Sequence, residues 1–202
     1  MRLLQVASPD VTTSFELKVN TMIAQVSKTS SHKLIMGSEA PALEVKTLDG
    51  TVWKLADQRP ENYTMIVFYR GAHCPLCEQS VSDLEQKLEA FRQLGIEVIA
   101  ISGDTQAKAE AFKTKVNLQQ VPIGYGLSPD DMRRWGLYLS KGHFESEPTL
   151  FSEPAVFLVK PDGRLYFANI GTHPFSRISF DFLLNGLDYV INNDYPFRGT
   201  EG

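Results

Sequence analysis

Cys74-Pro75-Leu76-Cys77 places the only two cysteines of the 202-residue chain three residues apart. The apolar run before them and the helical periodicity after them put both thiols in the first turn of a helix. A thiol there faces unpaired backbone N–H groups and the positive end of the helix dipole, so its pKa falls below the free value of about 8.5 and more of it is thiolate, the nucleophilic form. Pro75 suits the first helical position, where its missing N–H has no partner to lose, and it stiffens the intervening dipeptide. Cys77 lies one turn further in, within reach for a small disulfide ring and turned towards the sheet. That geometry assigns Cys74 as the attacking thiol and Cys77 as the resolving one. His73 precedes the attacker; protonated it would favour the thiolate, and neutral it would accept the thiol proton, but adjacent residues need not face each other. Arg70 reads either as a second tuning cation or as a solvated charge at a strand end, the solvated reading being preferred.

Two other uses of the pair stay open on spacing alone. Zinc takes four ligands, yet there is no second Cys pair and His32, His143 and His173 show no ligand spacing, so no metal is expected. Buried cysteines also occur as inert small hydrophobes.

Met65–Tyr69 is a continuous apolar run containing the β-branched Ile66 and Val67, the signature of a strand covered on both faces. Val81, Leu84, Leu88 and Phe91 then mark a helix of about five turns ending near Gly95, and Ile96–Ile101 returns as a parallel strand to complete a βαβ unit. Ser102–Thr105 caps a helix over Gln106–Val116 with Ala107, Ala111, Phe112 and Val116 on its apolar face. A short strand is expected over Val121–Tyr125, a short helix over Pro129–Leu137, and a long loop near the site over Tyr138–Ser152. Ala155–Lys160 and Leu165–Ile170 form an antiparallel pair about the Pro161-Asp162-Gly163-Arg164 turn. The last helix is placed at Arg177–Asn192. Upstream, Leu43–Leu55 reads as a β-hairpin around Leu48-Asp49-Gly50, and Phe15–Val26 as an amphipathic helix set apart by the polar run Ser27–His32. The expected division is a helical extension over 1–36, an α/β domain over 37–199 and a tail over 200–202.

A composition of 43% hydrophobic and 22% charged residues with net charge −4 is that of an ordinary globular chain and provides no basic field for nucleic acid. No apolar run approaches the roughly 20 residues of a membrane-spanning helix, and the first ten residues lack a signal-peptide core. A cytoplasmic location is the default expectation, and in a reducing compartment a close cysteine pair is more often catalytic or metal-binding than structural.

With Glu153-Pro154-Ala155-Val156-Phe157-Leu158-Val159 downstream of the Cys-Pro-Leu-Cys segment, the chain resembles the thioredoxin fold, a central mixed sheet flanked by helices. The resemblance implies a cis peptide bond at Pro154, packed beside the thiols. Gly37-Ser38-Glu39-Ala40-Pro41, Leu48-Asp49-Gly50, Tyr69-Arg70-Gly71 and the terminal Asn193–Gly199 resemble the AhpC/TSA group, the peroxiredoxins, and within it a peroxiredoxin-like subgroup with a thioredoxin-style dithiol. It implies disulfides or hydroperoxides as substrates, an external thiol as reductant, and a homodimer by analogy.

The departures concern the chemistry. Counted back from Cys77, the peroxiredoxin proline and threonine positions hold Arg70 and Cys74, and the later catalytic arginine position holds Pro154. His73 stands where tryptophan is common, and Met65–Tyr69 lacks the buried acid of thioredoxins, leaving Glu78 or a water to assist Cys77. On this count no guanidinium is in evidence for peroxide chemistry. The expectation is therefore a thiol-disulfide oxidoreductase using Cys74, Cys77, Pro154, His73 and Arg70 without a cofactor. A thiol peroxidase is the first alternative and a non-catalytic binding module the second.

Overall fold

The computed structural model describes residues 33–201; the helix expected over Phe15–Val26 lies outside them. Strand β3 (Tyr63–Phe68) is buried at every position. It runs parallel to β4 (Ile96–Ile101), from Tyr63 opposite Ile96 to Phe68 opposite Ile101, and antiparallel to β8 (Ala155–Val159). With β1 (Glu44–Thr47), β2 (Val52–Lys54), β5 (Ile123–Tyr125) and β9 (Leu165–Ile170) they form a seven-stranded mixed sheet in the order β2-β1-β5-β4-β3-β8-β9. The β1–β2 and β8–β9 hairpins and the β3–β4 crossover are as the sequence predicts.

Because strand side chains alternate between faces, β3 feeds two cores. Met65 and Val67 join Val81, Leu84, Leu88 and Phe91 of helix α1 (Pro75–Gln93), Phe112 of α2 (Gln106–Lys115) and Phe180, Leu183 and Leu187 of α4 (Phe180–Asn192). Ile66 and Phe68 face Met132 of the short α3 (Pro129–Arg134) and Trp135 just beyond it. The sheet is thus the middle of three layers. On α2 the buried face is Ala109 and Phe112, while Ala107 and Ala111 are exposed, so the helix is turned from the expected stripe to stack Phe112 on Tyr69, ring centroids 4.9 Å apart.

Two boundaries differ from expectation and both matter at the thiols. Tyr138–Ser152 is not a featureless loop: β6 (Leu139–Lys141) and β7 (Leu150–Ser152) pair as a separate antiparallel hairpin, Leu139 opposite Ser152. Its strands are three residues each, too short for a readable alternation. The final helix starts at Phe180, three residues later than predicted, because Ser179 is its N-cap and accepts from the Phe182 N–H. Arg177 is thereby left in the preceding loop.

Candidate active site: a dithiol between two arginines

The strand-to-helix turn after β3 fixes the first thiol. Gly71 has φ +131°, and a Cβ there would stand 2.8 Å from the Asp104 carboxylate, so no side chain fits. Asp104, almost fully buried, accepts the Ala72 N–H at 2.7 Å and pins the turn. Cys74 is the N-cap of α1, Pro75 its first residue, and the Cys74 carbonyl accepts from Cys77 N at 3.0 Å. Both cysteines are free and buried, 1% and 0% exposed.

The two thiols are driven apart electrostatically. Cys74 is lowered to about 5, mainly by the hydrogen bond from the Cys77 thiol, then by Arg70, the Cys77 N–H and the charge of Arg177, against the opposing effect of burial. Cys77 is raised well above the ordinary thiol range, first by burial and then by its hydrogen bond to Cys74. One is a thiolate at neutral pH and the other is a thiol, in the order that their places in the helix predict.

Arg70 and Arg177 supply the positive charge. Arg70 is not a solvated strand end. Its side chain is 13% exposed, its Nε lies 3.2 Å from Glu153 and a terminal nitrogen 3.6 Å from Glu147, and its guanidinium sits 4.6 Å from the centre of the Phe151 ring. Arg177 arrives from the loop before α4, 3.0 Å from Cys77 Sγ and 3.9 Å from Cys74 Sγ, with its Nε donating to the Pro174 carbonyl. Two guanidinium groups stand here: Arg70, which the sequence already offers as a candidate, and Arg177, which it does not; the position that the resemblance points to for a catalytic arginine holds Pro154. Sequence reading missed Arg177 by placing it inside the last helix. The Ser179 cap was the available signal that it lies outside, but nothing in the chain announces its return to thiols a hundred residues upstream.

His73 packs on Phe151, ring centroids 4.7 Å apart, and both ring nitrogens are buried without a hydrogen-bond partner. Burial and then the Arg70 charge lower its pKa, so it is neutral at neutral pH and does not tune Cys74 as a cation. The Pro154 peptide bond is trans, as are all peptide bonds among the described residues. Trans is the lower-energy X-Pro isomer. Pro154 lines a small recess with Ser80 and Arg177, on the Arg177 side of the dithiol. Glu78 is paired with Lys115, and no carboxylate of the redox strand approaches Cys77. Among the described residues no group of three or more His, Cys, Asp or Glu side chains could hold a metal ion, and no helix is long and apolar enough to cross a membrane.

A central strand delivering an ordered dithiol to a helix N-terminus defines the class, a thiol-dependent oxidoreductase of thioredoxin-like fold. The AhpC/TSA profile matches residues 36–168, and the chain belongs to that family. Peroxiredoxin Bcp of Bacillus subtilis is 31% identical over 134 residues, 64% of this chain and 81% of that protein. The fold recurs in a peroxiredoxin-like protein from Aquifex aeolicus, with TM-score 0.64 at 18% identity over 79% of this chain and 89% of that one. It recurs also in peroxidoxin BcpB from Mycobacterium tuberculosis, with TM-score 0.62 at 16% identity over 79% and 97%.

Proposed function

We propose that the chain reduces hydroperoxides through a Cys74/Cys77 dithiol cycle. The observation that carries this reading is the Arg177 guanidinium at both sulfurs of the buried dithiol, with Arg70 as a further cause of the depressed Cys74 thiolate, since developing negative charge on a departing oxygen needs fixed donors in a site shielded from water. The Cys74 thiolate attacks the distal peroxide oxygen: an S–O bond forms, the O–O bond breaks, and the alkoxide leaves and takes a proton from solvent. Cys74 is then a sulfenic acid. The Cys77 sulfur attacks it, an S–S bond forms, and hydroxide departs with the Cys77 proton as water. Loss of the Cys74 negative charge removes one of the causes holding Cys77 protonated, while the charge of Arg177 favours its thiolate. Two equivalents of an external thiol return the two electrons by exchange.

Thiol-disulfide exchange, the reading preferred from sequence, is the resetting half of this cycle. As the primary reaction it is supported by the ordered pKa values and disfavoured by access, because a protein disulfide must reach a cysteine residue only 1% exposed, whereas a hydroperoxide is small. A binding module without turnover would need an ordinary Cys74 pKa, the opposite of what the environment produces.

Residues 37–199 are taken as the working domain, in a cytoplasmic setting whose thiols would supply the reductant; sedimentation of the full chain reads out the proposed homodimer. The test is rapid mixing of reduced protein with hydrogen peroxide, followed by sulfenic acid trapping. The reading predicts reaction far faster than a free thiol, abolished in Cys74→Ser, with a stable trapped sulfenic acid on Cys74 in Cys77→Ser. Free-thiol rates in the native protein with rapid reduction of model disulfides would return the assignment to disulfide exchange.

A further inference from the structure

The hairpin β6–β7 carries an arrangement that the dithiol cycle does not use. Glu153, just past β7, is 4% exposed. Its Oε1 accepts from Ser140 Oγ of β6 at 2.7 Å, its backbone N–H donates to the Tyr138 carbonyl at 2.7 Å, and its Oε2 stands 3.2 Å from Arg70 Nε. That last contact is not an in-line hydrogen bond, so charge holds it. Glu147, at the hairpin tip, accepts the His143 N–H at 2.8 Å and is 3.6 Å from Arg70. Phe151 of β7 offers its ring to the same guanidinium. Arg70 is therefore gripped on one side by three residues of a single hairpin.

We propose that Glu153, anchored by Ser140, is a positioning residue that holds the Arg70 guanidinium across Phe151 and towards Cys74. This rests on the reading that Cys74 is the attacking thiolate. Two effects of Glu153 on that thiolate oppose each other. As a nearby negative charge it disfavours a second anion, and as the anchor of Arg70 it favours one. A long arginine with one end free loses its effect by moving into solvent, since a solvated guanidinium is screened, so the anchoring effect is the larger. A carboxylate that merely neutralised a buried cation would show only the first.

The two effects move the Cys74 pKa in opposite directions. The groups bearing on Cys74 are Cys77 from its own helix turn, Arg70 from the end of β3 and Arg177 from the loop before α4, with His73 adjacent and Glu147 and Glu153 behind Arg70. The experiment is titration of the Cys74 thiolate by ultraviolet absorbance in the reduced full-length protein. Glu153→Gln, close in shape and still able to accept from Ser140, is expected to raise the Cys74 pKa by about one unit, and Arg70→Met by about one to two. In an Arg70→Met background, Glu153→Gln is expected to raise it no further. Ser140→Ala, which leaves the carboxylate in place but unanchored, is the milder variant should the buried glutamine impair folding, and a rise of about half a unit is expected. An unchanged or lowered Cys74 pKa in Glu153→Gln and Ser140→Ala, beside a native value near 5, overturns the positioning role and leaves the dithiol reading intact. A native value near the free one removes the thiolate reading itself.

Discussion

Arg70 and Arg177 bring positive charge to the same two sulfurs from regions with different supports. Arg70 is local to the site, four residues before Cys74, and is held by two carboxylates and an aromatic ring from the β6–β7 hairpin. Arg177 comes from a hundred residues away, is tethered by one backbone carbonyl, and borders an open groove formed by Leu76, Pro174, Phe175 and Ile178, with Phe175 74% exposed. Arg70 thus bears on Cys74 as a fixed charge, which suits setting a resting pKa. Arg177, closest to Cys77 and lining the groove, bears more on the second thiol, and in the proposed cycle it is the group that would meet an incoming peroxide.

Removing both guanidinium groups should have the largest effect. Arg70→Met/Arg177→Met should lose about a thousandfold or more in the peroxide rate constant, each guanidinium acting as a preorganised donor worth on the order of a hundredfold; stopped-flow mixing reads this directly. The single variants sharpen the contrast. Arg177→Met should cost about a hundredfold in rate, prolong the life of the sulfenic acid and move the Cys74 titration less than Arg70→Met does, because Arg70 ranks ahead of Arg177 among the causes of the depressed value. Equal effects of the two variants on both pKa and rate would erase the division of labour.

A subtler consequence is in stability. The Cys74 thiol is lowered from the free-thiol value of about 8.5 to about 5 in the folded chain, so between those values the unfolded chain binds the extra proton and stability rises with pH. This contribution is complete above about pH 9 and lost as pH falls through about 5. Urea midpoints of the reduced protein should therefore climb across that window relative to those of the disulfide form, which has no thiolate to protonate. The smallest effect is expected at Glu78, which is tied to Lys115 at the surface. Glu78→Gln should leave the peroxide rate within about twofold, as exposed ion pairs contribute little, and a large loss would restore Glu78 as a proton acceptor for Cys77.

How far the sequence carries the account depends on whether the information is local. The strand, the helix start, the positions of Cys74, Pro75 and Cys77, and the order of the two pKa values follow from periodicity and helix-terminus physics, and the structure repeats them. Arg177, Glu153 and Phe151 reach the site through tertiary packing, for which adjacent residues give no signal. Arg70 is visible in sequence as a candidate, but its burial is not, since that depends on a hairpin whose three-residue strands are too short for a period to emerge. His73, a residue type suited to the chemistry and beside the thiol in sequence, has an orientation that sequence leaves open; its ring is turned against Phe151 and burial lowers its pKa.

The ordered pair is the central claim, and site-resolved alkylation of the reduced native protein across pH tests it most directly, with each cysteine followed separately by peptide mass spectrometry. Cys74 should react with a midpoint of about 5 while Cys77 stays unmodified through neutral pH. Reaction of Cys77 first, or a common midpoint near the free-thiol value of about 8.5, would contradict the assignment of attacker and resolver.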